Sequence, residues 1–246
     1  MKAVFLSDAH LRCEDDESYR ALVLFLDSLK DHINDLFIVG DLFDFWFCRD
    51  SQIYPGFRSV IEELVDLQKK GVRISLFEGN HDFFLEDYFT RTHDITVFTE
   101  WAHIELDGRK LLVSHGDTVD KTNKKYLLLR KLLRSALLYK IQRVIPTFIL
   151  WEIAQMSSTV SKELTYEPET VIANKMEAFA LEKFQEGFDA VILGHCHIPI
   201  LKEFEINGRA KTFATLGDWI RYHSYLYYED GRFILSTYEH KKVNSE

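Results

Sequence analysis

The amino-acid sequence predicts an α/β fold in which two β-sheets pack face to face with helices outside them. Over the first half of the chain, short apolar runs alternate with longer amphipathic segments, which is typical of strands alternating with helices. Towards the end, closely spaced strand-like runs are separated by Asn207-Gly208 and Asp230-Gly231, dipeptides that favour β-hairpin turns. The chain therefore combines buried, mostly parallel strands with a run of antiparallel strands.

The individual elements follow from the same patterns. Apolar runs of strand length predict buried strands at 2–7, 36–39, 72–77, 95–98, 102–106, 109–114 and 189–193. Segments with apolar residues at helical spacing predict helices at 17–31, 55–70, 83–90 and across 122–186. Asp107-Gly108 is expected to turn the chain between the strands at 102–106 and 109–114.

Composition indicates one enzyme-sized domain. The 246 residues contain only four prolines and no Gly/Ser-rich tract, so we expect a single domain over 1–246 without a linker. A net charge of −9 argues against general nucleic-acid binding. Cys13, Cys48 and Cys196 are too few for a disulfide framework, and the first strand begins at once without a secretory segment, so a cytoplasmic location is the expectation.

Five short polar motifs each follow a predicted buried strand. They are Asp8-Ala9-His10, Gly40-Asp41, Gly79-Asn80-His81-Asp82, His115-Gly116 and Gly194-His195-Cys196-His197. Ligands in open α/β sheets lie outside the carboxyl ends of the strands, so five such clusters can converge on one crevice. Taken singly, each motif is better explained by capping or core residues. Their common placement favours one functional site.

The donor atoms in these motifs suit two neighbouring divalent metal ions. Carboxylate and amide oxygens mixed with imidazoles, without a thiolate, indicate Mn²⁺ first, with Fe or Zn²⁺ as alternatives. Asp41 can bridge both ions because a carboxylate offers two oxygens. Cys196 lies between two expected ligands and could bind metal, but a reduced packing residue is the favoured interpretation. Paired ions of this kind support phosphoryl hydrolysis.

The order D-x-H, GD, GNHD, HG, GHxH resembles the calcineurin-like metallophosphoesterases over nearly the whole chain. That resemblance implies a four-layer αββα sandwich with two metal ions. It assigns Asp8, His10 and His197 to one ion and Asn80, His115 and His195 to the other, with Asp41 between them. His81 becomes the candidate for protonating the leaving oxygen, oriented by Asp82, and a purely structural His81 is the alternative.

Within that family, the motifs are most similar to the UDP-2,3-diacylglucosamine diphosphatases of lipid A synthesis. The similarity lies in Phe5 to Leu11, Gly40 to Asp44, His115 to Thr118 and the segment Ser161-Lys162-Glu163. It implies hydrolysis to UMP and 2,3-diacylglucosamine 1-phosphate. The substrate contacts that it implies are Asn80, His81, Asn123, Ser161, Thr165 and His195.

Some positions depart from the pattern of those diphosphatases. His81 stands where they carry arginine, Asn123 where they carry aspartate, and Thr165 and Pro168 where they carry asparagine and lysine. A metallophosphoesterase acting on another nucleotide or a small phosphoester therefore remains the second hypothesis. A third is a non-catalytic scaffold, although no expected metal ligand is missing.

Residues 122–167 are expected to form a helical cap inserted into the domain. Positions 121–143 carry eight Lys and Arg residues without an acidic one, interspersed with leucines. An ordinary helical hairpin that buries a leucine face explains this pattern. The alternative is an interfacial helix pair that covers an acylated substrate and contacts an anionic membrane. In that case, the expected acyl-chain residues are Leu128, Leu132, Phe148, Ile149 and Trp151.

Overall fold

Two β-sheets and the helices outside them form the computed structural model, which describes residues 1–48, 52–146, 148–150, 152 and 167–239. The strands are β1 (Lys2–Leu6), β2 (Asp35–Val39), β3 (Arg73–Phe77), β4 (Thr96–Phe98), β5 (Ala102–Leu106), β6 (Arg109–Ser114), β7 (Ala190–Leu193), β8 (Pro199–Ile206), β9 (Arg209–Leu216), β10 (Ser224–Glu229) and β11 (Arg232–Thr237). The helices are α1 (Glu17–Ser28), α2 (Arg58–Lys69), α3 (Glu86–His93), α4 (Lys124–Leu133), α5 (Ala136–Gln142) and α6 (Glu169–Gln185). A 3₁₀ turn at Pro55–Phe57 leads into α2.

Each sheet has a parallel centre and antiparallel additions. The first sheet has the order β11-β10-β1-β2-β3-β4, in which β1 to β4 run parallel. The second has the order β5-β6-β7-β9-β8, with β6, β7 and β9 parallel. The predicted hairpins are confirmed, because Ile206 pairs with Arg209 and Glu229 with Arg232. The carboxyl ends of the parallel strands meet at one edge of the sandwich, as such strands require.

Strand alternation builds the layers. In β1, Ala3 and Phe5 belong to the core between the sheets, whereas Val4 and Leu6 belong to the core beneath the helices that cover the first sheet. Successive side chains of a strand face opposite sides, so a strand buried on both faces is apolar throughout. Phe5 stacks on Phe37 of the neighbouring strand with ring centroids 4.5 Å apart, a pairing that adds about 0.5–1.5 kcal/mol beyond burial.

Helix α6 covers the outer face of the second sheet. Met176, Ala180 and Phe184 are buried in one cluster with Val191 and Leu193 of β7. Helices α1, α2 and α3 contribute buried residues to the core on the opposite side of the molecule. The four-layer αββα arrangement is therefore confirmed.

One helical prediction needs correction in position. The helix expected at 83–90 spans Glu86–His93, because Phe84 has a left-handed φ of 64° that prevents helix formation there. The helices expected across 122–186 include α4, α5 and α6 within the described residues. Asn123 caps α4 by accepting a hydrogen bond from the Tyr126 backbone N–H, and Ser135 caps α5 by accepting one from the Leu138 backbone N–H. Much of the predicted cap at 122–167, including Trp151, lies outside the described residues, so its boundaries stay a prediction.

Within the described ranges, every helix is too short or too polar to cross a lipid bilayer.

Candidate metal centre

The structure brings the seven expected metal ligands together at the carboxyl edge of both sheets. They follow strands β1, β2 and β3 of the first sheet and β6 and β7 of the second. The ligands are Asp8, His10, Asp41, Asn80, His115, His195 and His197. The site therefore lies across the seam between the two sheets, and its geometry depends on how they pack.

One cluster contains the three side chains that we expected around the first ion. Donor atoms of Asp8, His10 and His197 all lie within 4.8 Å of one another. The His197 Nε2 atom is 3.5 Å from the Asp8 Oδ1 atom, and the His10 Nε2 atom is 3.9 Å from that same oxygen. Two imidazoles therefore converge on one carboxylate oxygen.

A second cluster adjoins the first and includes the expected bridge. Donor atoms of Asp8, Asp41 and His115 also lie within 4.8 Å of one another. The Asp41 Oδ2 atom is 3.6 Å from His10 Nε2 and 3.5 Å from His115 Nε2, so this oxygen lies between the two clusters. The Asn80 Oδ1 atom lies 3.0 Å from His115 Nε2 and 3.0 Å from His195 Nδ1.

Buried polar atoms without hydrogen bonds show that these residues fit a cation. In the described part of the chain, Asp8 Oδ1 and both ring nitrogens of His10 are buried and have no hydrogen-bond partner. A buried polar atom that lacks a partner costs free energy, so an arrangement that retains several of them implies a ligand. Oxygen and imidazole donors in this mixture suit a divalent transition metal.

In Asp8, Asp41 and His115, hydrogen bonds from the protein occupy one polar atom of the side chain, and the other polar atom faces the centre. Asp8 Oδ2 accepts from Ser7 Oγ at 2.5 Å and from the His195 backbone N–H at 2.9 Å, which leaves Oδ1. Asp41 Oδ1 accepts from the His81 backbone N–H at 2.8 Å, so Oδ2 is the oxygen that faces the centre. His115 Nδ1 donates to the Val39 carbonyl at 3.0 Å, so Nε2 is the ring nitrogen that faces the centre.

The backbone at the site is unusual. Left-handed φ angles occur at Asp8 (54°), His10 (44°), Asp41 (51°), His195 (65°) and His197 (58°). Non-glycine residues rarely adopt this conformation, which clusters at functional sites.

Two glycines make room for the ligands. A Cβ atom at Gly40 would overlap the His115 ring, and one at Gly79 would overlap the Asp41 carboxylate. Glycine is therefore required at both positions because these side chains approach the backbone closely, and not because the loops need flexibility.

The electrostatic field of the site favours positive charge. Burial opposes ionisation of Asp41, but interaction with neighbouring imidazoles, above all His115, holds the pKa of its carboxyl well below the usual value. Burial also opposes charge on His115, but Asp41 and Asp8 raise its pKa to about 10. In contrast, burial and the charge of His115 lower the pKa of His195 to about 4, which leaves that ring neutral and able to bind a metal.

His81 lies beside the two clusters, but Asp82 does not orient it as we predicted. Both carboxylate oxygens of Asp82 accept from backbone N–H groups of Asp41, Phe43 and Gly79 at 2.9–3.1 Å. His81 Nδ1 instead lies 3.1 Å from the Asp44 carbonyl oxygen. A carbonyl only accepts, so Nδ1 carries the proton and Nε2 remains available. Burial lowers the pKa of His81, which favours the neutral ring.

A cavity of about 420 Å³ opens above the ligands. One wall is formed by Tyr126, Leu129, Arg130 and Leu133 of α4 and by Arg134 just after it, and another by Glu169, Ile172, Lys175 and Met176 of α6. Of the predicted substrate contacts, Asn80, His81, Asn123 and His195 line this cavity. Ser161 and Thr165 lie outside the described residues.

Cys196, in contrast, is buried among Met176, Leu193 and Phe213 behind the site, where its Sγ lies 3.6 Å from the Ile198 carbonyl oxygen. Burial raises the pKa of this thiol to about 11, so the side chain remains protonated. The position supports its interpretation as a packing residue.

Two features of the site were missed in the sequence. Arg130 and Arg134 attach α4 to the core, where Arg130 Nε donates to Asp117 and Arg134 Nη1 to Glu78, each at 2.6 Å. Asp218 contacts His197, with 3.4 Å between Oδ2 and Nδ1. A signal for Asp218 was present, because Gly217-Asp218 follows β9 as Gly40-Asp41 follows β2.

Comparison with known proteins identifies the family. The profile of the calcineurin-like phosphoesterases matches residues 1–199, which is most of the chain. The chain belongs to the calcineurin-like phosphoesterases. An archaeal phosphodiesterase with 12% identity superposes with a TM-score of 0.50 over 96% of this chain and 99% of the other, which shows the shared fold.

Two related proteins are similar to this phosphoesterase over nearly their full lengths. A UDP-2,3-diacylglucosamine hydrolase of Aliivibrio fischeri is 31% identical and covers 98% of this chain and 100% of its own. The protein of that name from Pseudomonas entomophila is 30% identical and covers 96% of this chain and 98% of its own. Together with the family match, these relatives place the phosphoesterase among metal-dependent phosphoester hydrolases.

Replacing His10 by alanine tests its role as a ligand. Since Asp41 and the other donors remain, we expect Mn²⁺ binding to weaken by roughly tenfold or more, with activity partly restored by added Mn²⁺. Titrating metal-free protein with Mn²⁺ measures the change, and His32→Ala, at an exposed histidine, is the control. A His10→Ala variant with full activity at low Mn²⁺ would exclude His10 as a ligand.

Proposed function

We propose that this phosphoesterase hydrolyses UDP-2,3-diacylglucosamine to UMP and 2,3-diacylglucosamine 1-phosphate. The activity for which its relatives are named supports this reaction, in which water cleaves the pyrophosphate bond. The observation that carries the proposal is the form of the cavity. Its floor holds the metal ligands, and its walls include the apolar side chains of Leu129, Leu133, Ile172 and Met176. A diphosphate that carries acyl chains requires a metal site for its phosphates and an apolar wall for its acyl chains in the same cavity.

The seven ligands would hold two divalent ions, with Mn²⁺ as the first choice and Fe or Zn²⁺ as the alternatives. When bound, such ions neutralise charge on the phosphoryl oxygens and lower the pKa of water. Asp41 is suited to bind both ions because its Oδ2 atom lies between His10 and His115. The protein itself fixes the donor geometry through the hydrogen bonds from Ser7, His81 and His115.

His81 is proposed to protonate the leaving oxygen. With Nδ1 bonded to the Asp44 carbonyl, its Nε2 atom can carry the second proton of the ring. Nearby phosphate charge favours that protonated form, because an anion raises the pKa of an imidazole. The catalytic group is thus His81 with the Asp44 carbonyl behind it, while Asp82 stabilises the loops that carry the ligands.

The outer face of α4 and α5 supports contact with an anionic membrane. Neither helix has a buried residue among those the structure describes, which argues against a simple buried leucine face. Leu128, Leu132 and Leu137 are 70%, 59% and 70% exposed, and the 121–143 segment around them is basic. An exposed apolar surface with basic neighbours is typical of peripheral membrane binding. We therefore propose a cytoplasmic enzyme that binds peripherally at the inner membrane.

A second candidate function is hydrolysis of a soluble nucleotide or small phosphoester. It is favoured by the charges on the cavity walls, where the cations already have carboxylate partners. Lys175 Nζ lies 2.8 Å from Asp120 and 2.5 Å from Glu167, and Arg221 lies 2.8 Å from Glu169. An anionic lipid-linked nucleotide must compete with these pairs, whereas a small ester held by the ions need not.

A substrate panel separates the two candidates. Metal-free protein supplied with Mn²⁺ is incubated with UDP-2,3-diacylglucosamine, simple nucleotides and p-nitrophenyl esters. Preference for the diacylated sugar nucleotide supports the first function. Efficient cleavage of soluble esters by a protein that ignores the diacylated substrate would establish the second.

The two faces of α4 provide a matched test of acyl-chain binding. Leu129 and Leu133 line the cavity, whereas Leu128 and Leu132, which the sequence suggested for an acyl site, are 70% and 59% exposed. The double variant Leu129→Asp/Leu133→Asp should raise KM for the diacylated substrate at least tenfold. Losing contact with two methylenes costs about 1.6 kcal/mol at 0.8 kcal/mol each, and a tenfold change needs about 1.4 kcal/mol.

The control is Leu128→Asp/Leu132→Asp, which places the same charges on the outer face. It should retain KM for the detergent-dispersed substrate but bind anionic vesicles more weakly. Vesicle binding by the wild-type protein should fall with salt, because exposed charges are screened beyond about 10 Å at 0.1 M. Native KM in the Leu129/Leu133 variant would contradict an acyl site on this wall.

A further inference from the structure

Asp218 lies directly behind one of the metal ligands. The two ring nitrogens of His197 face different carboxylates: Nε2 is 3.5 Å from Asp8 Oδ1 at the centre, and Nδ1 is 3.4 Å from Asp218 Oδ2 on the far side. The ring also stacks on His10 with an interplanar angle of 11°. His197 is thus held between a ligand on one edge and a second carboxylate on the other.

The Asp218 carboxylate is itself immobilised. Its side chain is 1% exposed. Oδ1 accepts from the backbone N–H groups of Ile220 at 3.1 Å and Arg221 at 2.6 Å, and Oδ2 accepts from Arg221 Nε at 2.7 Å. A carboxylate with both oxygens bonded to its own loop presents Oδ2 at a defined position.

Arg221 extends this connection to α6, the helix that follows the cap. Its Nη2 atom donates to Glu169 Oε1 at 2.8 Å, at the first residue of α6, and to the His197 carbonyl at 3.3 Å. One guanidinium therefore contacts Asp218, the backbone of His197 and the helix that follows the cap.

We propose that Asp218 is a positioning residue that sets His197 as a metal ligand. Accepting the Nδ1 proton selects the tautomer whose lone pair is on Nε2, and it fixes the ring with that lone pair towards Asp8. A carboxylate behind a metal-binding histidine raises metal affinity by about 10- to 100-fold. This inference rests on the proposed metal-dependent function and adds a residue outside the seven ligands.

The alternative role for Asp218 is to stabilise its own loop and to neutralise Arg221. The two roles differ in what they change. Loss of a loop contact lowers the stability of the metal-free protein. Loss of the His197 contact instead weakens the binding of one metal ion and alters the tautomer of His197. Glu169 offers a matched control, because it is a second carboxylate on Arg221 and the structure shows no contact between its described atoms and His197.

The experiment titrates metal-free full-length protein with Mn²⁺ and measures the dissociation constant of each ion. Asp218→Ala should raise the dissociation constant of one of the two ions by about 10- to 100-fold. Asp218→Asn, which keeps an acceptor oxygen, should raise it less. Glu169→Gln should bind both ions like the wild type. In metal-free protein labelled with ¹⁵N-histidine, the His197 signal should show the Nδ1-protonated tautomer in the wild type and a mixture in Asp218→Ala.

Wild-type affinity for both ions in Asp218→Ala would overturn the proposal, as would equal weakening by Glu169→Gln. An unchanged His197 tautomer in a variant of normal thermal stability would also overturn it. Failure of the proposed metal dependence looks different, because the wild-type protein itself would then bind no Mn²⁺ and every variant would resemble it; failure of the proposed substrate alone shows only in the substrate panel.

Discussion

Asp41→Ala should abolish hydrolysis of every substrate that the phosphoesterase accepts. The substitution removes the carboxylate whose Oδ2 atom lies between His10 and His115, so both ions lose a ligand. Metal ions contribute several kcal/mol of charge stabilisation to a phosphoryl transition state, and about 4 kcal/mol corresponds to roughly 10³-fold in rate. We therefore expect turnover to fall by at least about 10³-fold.

Initial rates at saturating Mn²⁺ measure this effect with the diacylated sugar nucleotide and with a p-nitrophenyl ester. Asp35→Ala is the control, because Asp35 is a buried carboxylate at the start of β2 and its partner is Arg73, away from the centre. That control should keep its turnover. A loss with one substrate only, or near-normal rates in Asp41→Ala, would contradict a bridging role.

His81→Ala should lower turnover by about 10²- to 10⁴-fold, the usual contribution of a positioned proton donor. Metal occupancy should stay near that of the wild type. The reason is that the His81 backbone N–H, which bonds Asp41 Oδ1 at 2.8 Å, is retained in the variant. Since good leaving groups need little protonation, the loss should shrink as the leaving-group pKa falls.

A series of aryl esters measures that dependence, with metal analysis of each preparation alongside. His103→Ala, at an exposed histidine of β5, should behave as the wild type. An equal loss for all leaving groups would eliminate proton donation and leave His81 as a structural or substrate-binding residue. Loss of metal from the variant would instead make His81 part of the metal centre.

The positions of the metal ligands were predictable because they depend on a general property of parallel strands. Polar motifs after buried strands lie at one edge of a sheet, and all five motifs meet there. The hairpins at Asn207-Gly208 and Asp230-Gly231 were predictable from turn chemistry. The assignment of strands to sheets was not. Local turns do not indicate that β10 pairs with β1 while β8 and β9 join the other sheet.

The partners of individual side chains were harder to predict. Asp82 and His81 are adjacent in sequence, but Asp82 bonds backbone N–H groups that folding brings from around Asp41, about forty residues away. Leucines surround much of α4, so periodicity could not distinguish the cavity-facing Leu129 from the exposed Leu128. Asp218 was missed because its role depends on His197, which only the fold brings beside it.

The left-handed backbone of the ligand residues has a thermodynamic consequence for the whole fold. Five ligands adopt positive φ, and at about 1 kcal/mol each they consume a sizeable part of the roughly 5–15 kcal/mol that stabilises a domain. Packing of the two sheets must hold these residues in place. A substitution in the core between the sheets, such as one at Phe5 or Ile192, would therefore relax the strained residues first. Metal affinity would then decline in a protein that is still folded, so the centre is the most sensitive reporter of how well the two sheets pack.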